Sequence, residues 1–260
     1  MGIINEELQF HLKTKKDDIG EYVIMPGDPG RVPKIAKYLE DAVRVAQNRE
    51  YNVYTGYLNG VKVSVCSTGI GGPSAAIAIE ELINCGAHTF IRVGTSGGMA
   101  KDVVGGDLCI ATAAVRGEGT SYEYISADYP AVADFDVVTA LKQSAEELSQ
   151  DKDGHRYHVG VVQSKDSFYG ELSPHSMPVS EKLNERWESY LRCGCLTSEM
   201  EAAALFSVGL SRGVRVGAVL VAIWNVEREK VGLNNPTAEN TERAIRCAVE
   251  AVAKLSSRGA

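Results

Sequence analysis

Thr89-Phe90-Ile91-Arg92-Val93-Gly94-Thr95-Ser96-Gly97-Gly98 is the stretch on which the fold turns. The apolar run from Thr89 to Val93 reads as a buried strand, and the glycines after it read as a turn at the strand's carboxyl end. The same pattern occurs twice upstream. Tyr22-Val23-Ile24-Met25 runs into Pro26-Gly27-Asp28-Pro29, and a helix follows over about 32–39. Val61 to Cys66 runs into Thr68-Gly69-Ile70-Gly71-Gly72-Pro73-Ser74, where Pro73 suits the first turn of a helix over 75–84. Asn59-Gly60 lies between the alternating runs 50–58 and 61–66 and predicts a hairpin. Further along, 108–114, 158–163 and 214–224 read as strands, 199–210 as a buried helix and 237–255 as an amphipathic one. Strands alternating with helices predict a three-layer α/β/α fold with a central mixed, mostly parallel sheet, built as a single domain over 1–260. Ligand sites in such sheets gather at the carboxyl ends of strands.

Composition narrows the function classes. A chain of 260 residues, 44% hydrophobic, is long enough to bury a full core. The net charge of −7 comes without a basic stripe, so no nucleic-acid partner is expected. The most basic run, Lys13-Thr14-Lys15-Lys16, meets Asp17-Asp18 at once and reads as a solvated turn. No run approaches 18 apolar residues, and residues 1–12 carry acids without an apolar core, so neither a membrane span nor a signal peptide is expected. Six cysteines, among which only Cys193 and Cys195 are close, fit reduced thiols in the cytoplasm better than a zinc site.

The chemistry-bearing residues cluster near the glycines. None of the three turns is a dinucleotide fingerprint or a P-loop. Glycine still lets backbone N–H groups approach an anion. Arg31 directly follows the first turn, Arg92 lies inside the apolar strand, and Arg49 precedes the hairpin. A guanidinium matches two phosphate oxygens at once, so these arginines with Thr95 suit a small free phosphate. For Arg92 the alternative is a buried ion pair with a core carboxylate. Ser198-Glu199-Met200-Glu201-Ala202-Ala203-Ala204 places two carboxylates at the start of an otherwise apolar helix. They fit either capping of the helix or a ribose clamp whose charge also stabilises an oxocarbenium-like transition state.

The runs PGDPGRV (26–32), NREYNVYTG (48–56), CSTGIGGPSAAIAIEEL (66–82), IRVGTSGG (91–98), SKDSFYG (164–170) and SEMEAAAL (198–205) together resemble the nucleoside phosphorylase family of uridine phosphorylase and hexameric purine nucleoside phosphorylase. The resemblance runs in order over nearly the whole chain. It implies phosphorolysis of a ribonucleoside, uridine or a related pyrimidine nucleoside, to free base and ribose 1-phosphate. Gly27, Arg31, Arg49, Arg92 and Thr95 match phosphate-binding positions, with Arg49 reaching a neighbouring subunit. His11, Glu199, Met200 and Glu201 match the ribose site, His11 again across the interface. Arg92, Glu201 and Arg31 are thus the expected catalytic set. Phe168 matches an aromatic residue that packs on the base, and Glu50, Ile70 and Ser74 match positions that hold a monovalent cation such as K+ between subunits. The resemblance further implies inorganic phosphate as co-substrate, no organic cofactor, a homodimer as the minimal active unit and a hexamer built as a trimer of dimers.

The base is the open point. Asn225 stands where purine enzymes carry an aspartate, which favours the uridine branch, as does the SKDSFYG run. Uridine phosphorylases continue with a glutamine and an arginine that read uracil; here those base-binding positions are Glu171 and Ser176. An ionised glutamate only accepts hydrogen bonds. Glu171 is therefore expected to be protonated, to accept from a 6-oxopurine as in a purine nucleoside phosphorylase, or to be helped by a donor from His175, Lys165 or Arg228. A water-using nucleosidase would not need Arg31, Arg49 and Arg92; a non-catalytic nucleoside-binding protein is the remaining alternative.

Overall fold

The computed structural model describes residues 8–149 and 156–257. In chain order the strands are β1 (Tyr22–Pro26), β2 (Glu40–Asn48), β3 (Tyr51–Leu58), β4 (Val61–Cys66), β5 (Thr89–Gly98), β6 (Leu108–Gly117), β7 (Ala131–Val132), β8 (Tyr157–Lys165), β9 (Thr197–Glu199) and β10 (Arg215–Asn225). The helices are α1 (Val32–Ala36), α2 (Gly72–Asn84), α3 (Phe135–Leu148), α4 (Phe168–Leu172), α5 (Ser180–Arg192), α6 (Ala202–Arg212), α7 (Val226–Lys230) and α8 (Glu242–Ser257).

All ten strands join one mixed sheet in the order β10-β6-β8-β9-β5-β1-β4-β3-β2, with β7 beside β6. A further pairing of β10 with β5 closes β5, β10, β6, β8 and β9 into a ring. Strand β5 is therefore central, running parallel to both β1 and β10. Helices cover both faces. α2 and α6 bury Ile79, Leu82, Leu205 and Phe206 on one side. On the other, α1, α3 and α8 bury Ile35, Leu141, Ile245 and Val252. This is the three-layer arrangement expected of apolar strands alternating with one-sided helices.

Local chemistry accounts for most boundaries. Asn59 and Gly60 both have positive φ, 51° and 78°, the geometry of a two-residue primed hairpin turn. Pro73 sits in the first turn of α2, after Gly71 at φ 93°. Several expected boundaries shift; α1 ends at Ala36 rather than near 39, and α2 begins at Gly72 rather than 75. The glycines 94–98 continue β5 instead of ending it, because they pair with β10 and β9. The expected helix 199–210 begins at Ala202, since Thr197–Glu199 pair as β9 with β5 and β8. The C-terminal helix begins at Glu242 rather than near 237. Segments with no expected element form β2, β7, α3, α4, α7 and α5. The last of these is mostly polar, and β2 is an exposed edge strand. No described helix is long and apolar enough to cross a membrane. All six cysteines are unbridged, and only Cys193 is exposed.

Phe90 is fully buried in β5 beneath α2 and α6. Phe90→Ala is expected to cost about 3–5 kcal/mol of unfolding free energy in urea titrations. A cost under about 1 kcal/mol would mean that this layer does not hold the central strand.

Candidate active site

The Gly27 and Gly69 turns meet at the carboxyl ends of β1 and β4, level with Gly94 inside β5. Backbone bonds link them: Thr68 N–H donates to the Pro26 carbonyl at 2.9 Å and Gly69 N–H to that of Gly27 at 3.0 Å. A Cβ on Gly27 would lie only 3.3 Å from the Gly69 carbonyl oxygen and 4.0 Å from Arg92 Nη1. They form one end of a cavity of about 610 Å³. Gly27, Arg31, Arg92, Thr95, Met200 and Glu201 line this end, and Lys165, Phe168, Glu171, Leu172 and Trp187 line the other. A second chamber of about 500 Å³ adjoins the far end and shares Lys165, Glu171 and Trp187 with it.

Arg92 is the pivot. Its Nε donates to Glu199 Oε2 at 2.9 Å and its Nη2 to Glu201 Oε2. The buried ion pair considered for Arg92 is thus present, and it leaves one group over. Nη1 is buried without a hydrogen-bond partner among the described residues and lies on the Gly27 side. A buried unpartnered donor on a cationic group is costly unless an anion satisfies it. Burial works against the charged guanidinium, but Glu201 and Glu199 outweigh it and hold Arg92 above its ordinary pKa. Arg31 stands at the rim, its Nη1 donating to the Val93 carbonyl at 3.3 Å and its Nε 3.9 Å from Asp28. Burial, and then the nearby Arg92, lower its pKa from the usual value, with Asp28 opposing them.

The two carboxylates divide the work. Glu199 accepts from Arg92 Nε, Ser164 Oγ, Glu201 N–H and Ala202 N–H, which fills its capacity of about four bonds. It caps α6 and orients Arg92, so the expected ribose contact from Glu199 is not available. Among the described residues Glu201 accepts from Arg92 Nη2 and Gly71 N–H, and it lines the cavity with acceptor capacity left. Burial pushes its carboxyl above the ordinary value, against the pull of Arg92.

Other expected residues lie elsewhere. His11 is held by Glu81, Nδ1 to Oε1 at 2.7 Å, and Arg49 is exposed on the β2–β3 turn at φ 52°. Neither lines the cavity of its own chain. Glu50 and Ser74 do meet, Oε1 to Oγ at 2.7 Å, while the Ile70 side chain is 78% exposed at the cavity edge. Backbone hydrogen bonding and the Ser74 hydroxyl lower the Glu50 pKa. Ser176 is not brought to the base end: it is exposed, and its hydroxyl bonds the Ser173 carbonyl. Asn225 is fully buried, donating to the Ala100 and Val103 carbonyls and capping α7, so it carries no base-reading role. Of the three candidate donors, Arg228 is bonded to the carbonyls of Asn234 and Lys101, and His175 reaches only the second chamber. Lys165 lines the cavity and bonds Glu171. Trp187 and Ser198 are wall residues that sequence reading missed. Trp187 sits on α5, whose polar character hides one apolar strip.

Comparison with known proteins gives a consistent picture. The family described as the phosphorylase superfamily matches residues 21–257. Uridine phosphorylase of Treponema pallidum (strain Nichols) is 52% identical over 97% of this chain and 96% of its own length. Guanosine phosphorylase of Halorubrum lacusprofundi is 40% identical over 95% of this chain and 99% of its own. Uridine phosphorylase of Escherichia coli (strain K12) is 38% identical over 95% and 97%.

Arg92→Ala strands Glu199 and Glu201 as buried, unpaired carboxylates. It is therefore expected to destabilise the fold by about 3–5 kcal/mol in denaturant titrations. Unchanged stability would show that the pair contributes nothing to folding.

Proposed function

The chain belongs to the phosphorylase superfamily, and from that membership we propose that it is a nucleoside phosphorylase converting uridine or a related pyrimidine nucleoside, with inorganic phosphate, to free base and ribose 1-phosphate. The observation that carries the reading is the buried Nη1 of Arg92, unpartnered and turned toward Gly27, with Arg31 at the same cavity end. That geometry calls for a small anion held by two guanidiniums and glycine N–H groups.

In this reading phosphate lies against Gly27, Arg31, Arg92 and Thr95. One of its oxygens forms a bond to the anomeric carbon as the glycosidic bond breaks, and the bonding pair leaves with the base nitrogen. Glu201 accepts from the ribose hydroxyls, and its charge favours the oxocarbenium-like transition state. Met200 packs beside the sugar and Phe168 beside the base. Glu199 is a positioning residue for Arg92. No step requires an organic cofactor. The chain acts as one domain over 1–260, in the cytoplasm.

His11 and Arg49 complete a neighbouring subunit's site, so the active unit is a homodimer, assembled as a hexamer. Support comes from their absence from the lining of their own cavity and from Arg49 standing exposed on a turn. The Glu50 carboxylate and Ser74 hydroxyl offer the hard oxygen donors that K+ takes, near the same edge.

The guanosine phosphorylase relative and the acceptor character of Glu171 favour a second reading, a 6-oxopurine nucleoside. Base release from uridine, thymidine, inosine, guanosine and adenosine, with and without phosphate, tests both. Uridine cleavage only with phosphate supports the first reading. Cleavage in water alone, or none on any substrate, overturns the phosphorylase assignment. Arg31→Ala is expected to raise the KM for phosphate about 10- to 100-fold, the loss of one charge-assisted hydrogen bond. Arg49→Ala and Arg31→Ala proteins, each weak alone, are expected to regain activity after dissociation and mixing, because a mixed dimer holds one intact site. No gain on mixing would remove Arg49 from the neighbour's site.

A further inference from the structure

Opposite Arg92, at the far end of the cavity, three side chains form a closed hydrogen-bonded group. Lys165 Nζ donates to Glu171 Oε1 at 2.7 Å and to Ser198 Oγ at 2.6 Å, and Ser198 Oγ donates to Glu171 Oε2 at 2.7 Å. Lys165 comes from the end of β8, Ser198 from β9 and Glu171 from α4, so three elements fix the group. Both charged side chains are nearly buried, 10% and 13% exposed, yet both line the cavity. The Phe168 ring lies 5.8 Å from Nζ and bounds the same space.

The hydrogen-bond count of this group is unbalanced in a specific way. An ammonium has three donors and no acceptor, and two donors are used. A carboxylate has about four acceptor positions, and one on each oxygen is used. What remains is one donor beside acceptors, on side chains that line the cavity. We infer that Lys165 and Glu171 together read the base, selecting a –CO–NH– edge: the base carbonyl accepts from Lys165 and the adjacent ring N–H donates to Glu171. This inference rests on the phosphorylase reading and names the substrate class of that same site.

The edge in question is shared by uracil, thymine and the 6-oxopurines. Cytosine and adenine present the reverse, an amino donor next to a bare ring nitrogen. That arrangement sets a donor against the ammonium and a lone pair against the carboxylate. A site built on specific hydrogen bonds rejects the mismatched analogue by about 10⁴-fold. The Lys165 ammonium has a second effect. The base leaves as an anion with charge on its carbonyl oxygen, and a fixed donor there is worth about 100- to 1,000-fold in rate. Lys165 thus fills from β8 the donor role that Ser176 does not fill.

Phosphorolysis of uridine, inosine, cytidine and adenosine at saturating phosphate tests the inference. The wild-type protein is expected to cleave uridine, inosine or both, and cytidine and adenosine about 10⁴-fold more slowly. Lys165→Met is expected to lower kcat/KM on the oxo substrates about 100- to 1,000-fold while leaving the KM for phosphate unchanged. Lys165→Met alone strands Glu171, so Lys165→Met/Glu171→Gln removes both charges; it is expected to stay equally slow. Recovery of that double variant to within threefold of wild type would make the pair merely structural and overturn the inference. Equal turnover of cytidine and uridine would overturn it as well. In either case the phosphorylase reading survives if base release still requires phosphate, whereas a wild-type protein that releases no base at all removes both.

Discussion

One buried contact organises this molecule: Arg92, on the central strand, held between Glu199 and Glu201. Three charges in the middle of a sheet are expensive, and a well-packed apolar trio would be as stable or more so. What the charges add is geometry. Glu199 is pinned by Ser164 from β8 and by the first N–H groups of α6, so the strand that bears Arg92 is tied to the helix that covers it. Arg92 is oriented from one side only, and its remaining N–H edge has a single direction left to face.

Structural and functional readings of these residues are therefore not rivals. Glu199 caps the start of α6, and together with Glu201 it also aims a cation at the cavity. The same side chain does both because the start of α6 lies where β9 pairs with β5 and β8. Helix capping supplies Glu199 with two backbone donors, the arginine supplies a third and the serine a fourth. Saturation makes Glu199 rigid and leaves Glu201 as the carboxylate with capacity to spare.

Legibility in the sequence followed the range of the forces involved. The convergence of Gly27 and Gly69 could be read because parallel β1 and β4 bring their carboxyl ends together whatever the loops do. Arg92 could be singled out because a charge in an apolar strand demands a partner. The partner's identity could not be read, since residues 92 and 199 meet only through tertiary pairing. Short β9 was hidden for the same reason: three residues become a strand only beside two existing ones. Likewise, His175, Lys165 and Arg228 were indistinguishable as donors until their surroundings were known, and the Asn225 side chain, which looked like a chemical choice, proved to be a buried anchor. Ser176 was a matter of register in a loop, where hydrophobic pattern gives no bearing.

Charge accounting at the phosphate end gives a reason for assembly. Within one chain, Arg31 and Arg92 face Glu199 and Glu201, with Asp28 beside Arg31. Two positive charges meet three negative ones, so the chain brings no net cation to a site that would take a dianion. A buried anion without net compensation is strongly disfavoured. Hydrogen-bond geometry favours the ligand while the local charge opposes it, and a further cation resolves the conflict. Arg49, exposed on its turn and outside its own cavity, is suited to supply that cation to a second copy of the chain. In the proposed dimer the neighbouring subunit is an electrostatic component of the site, since each chain carries one cation that its own cavity lacks.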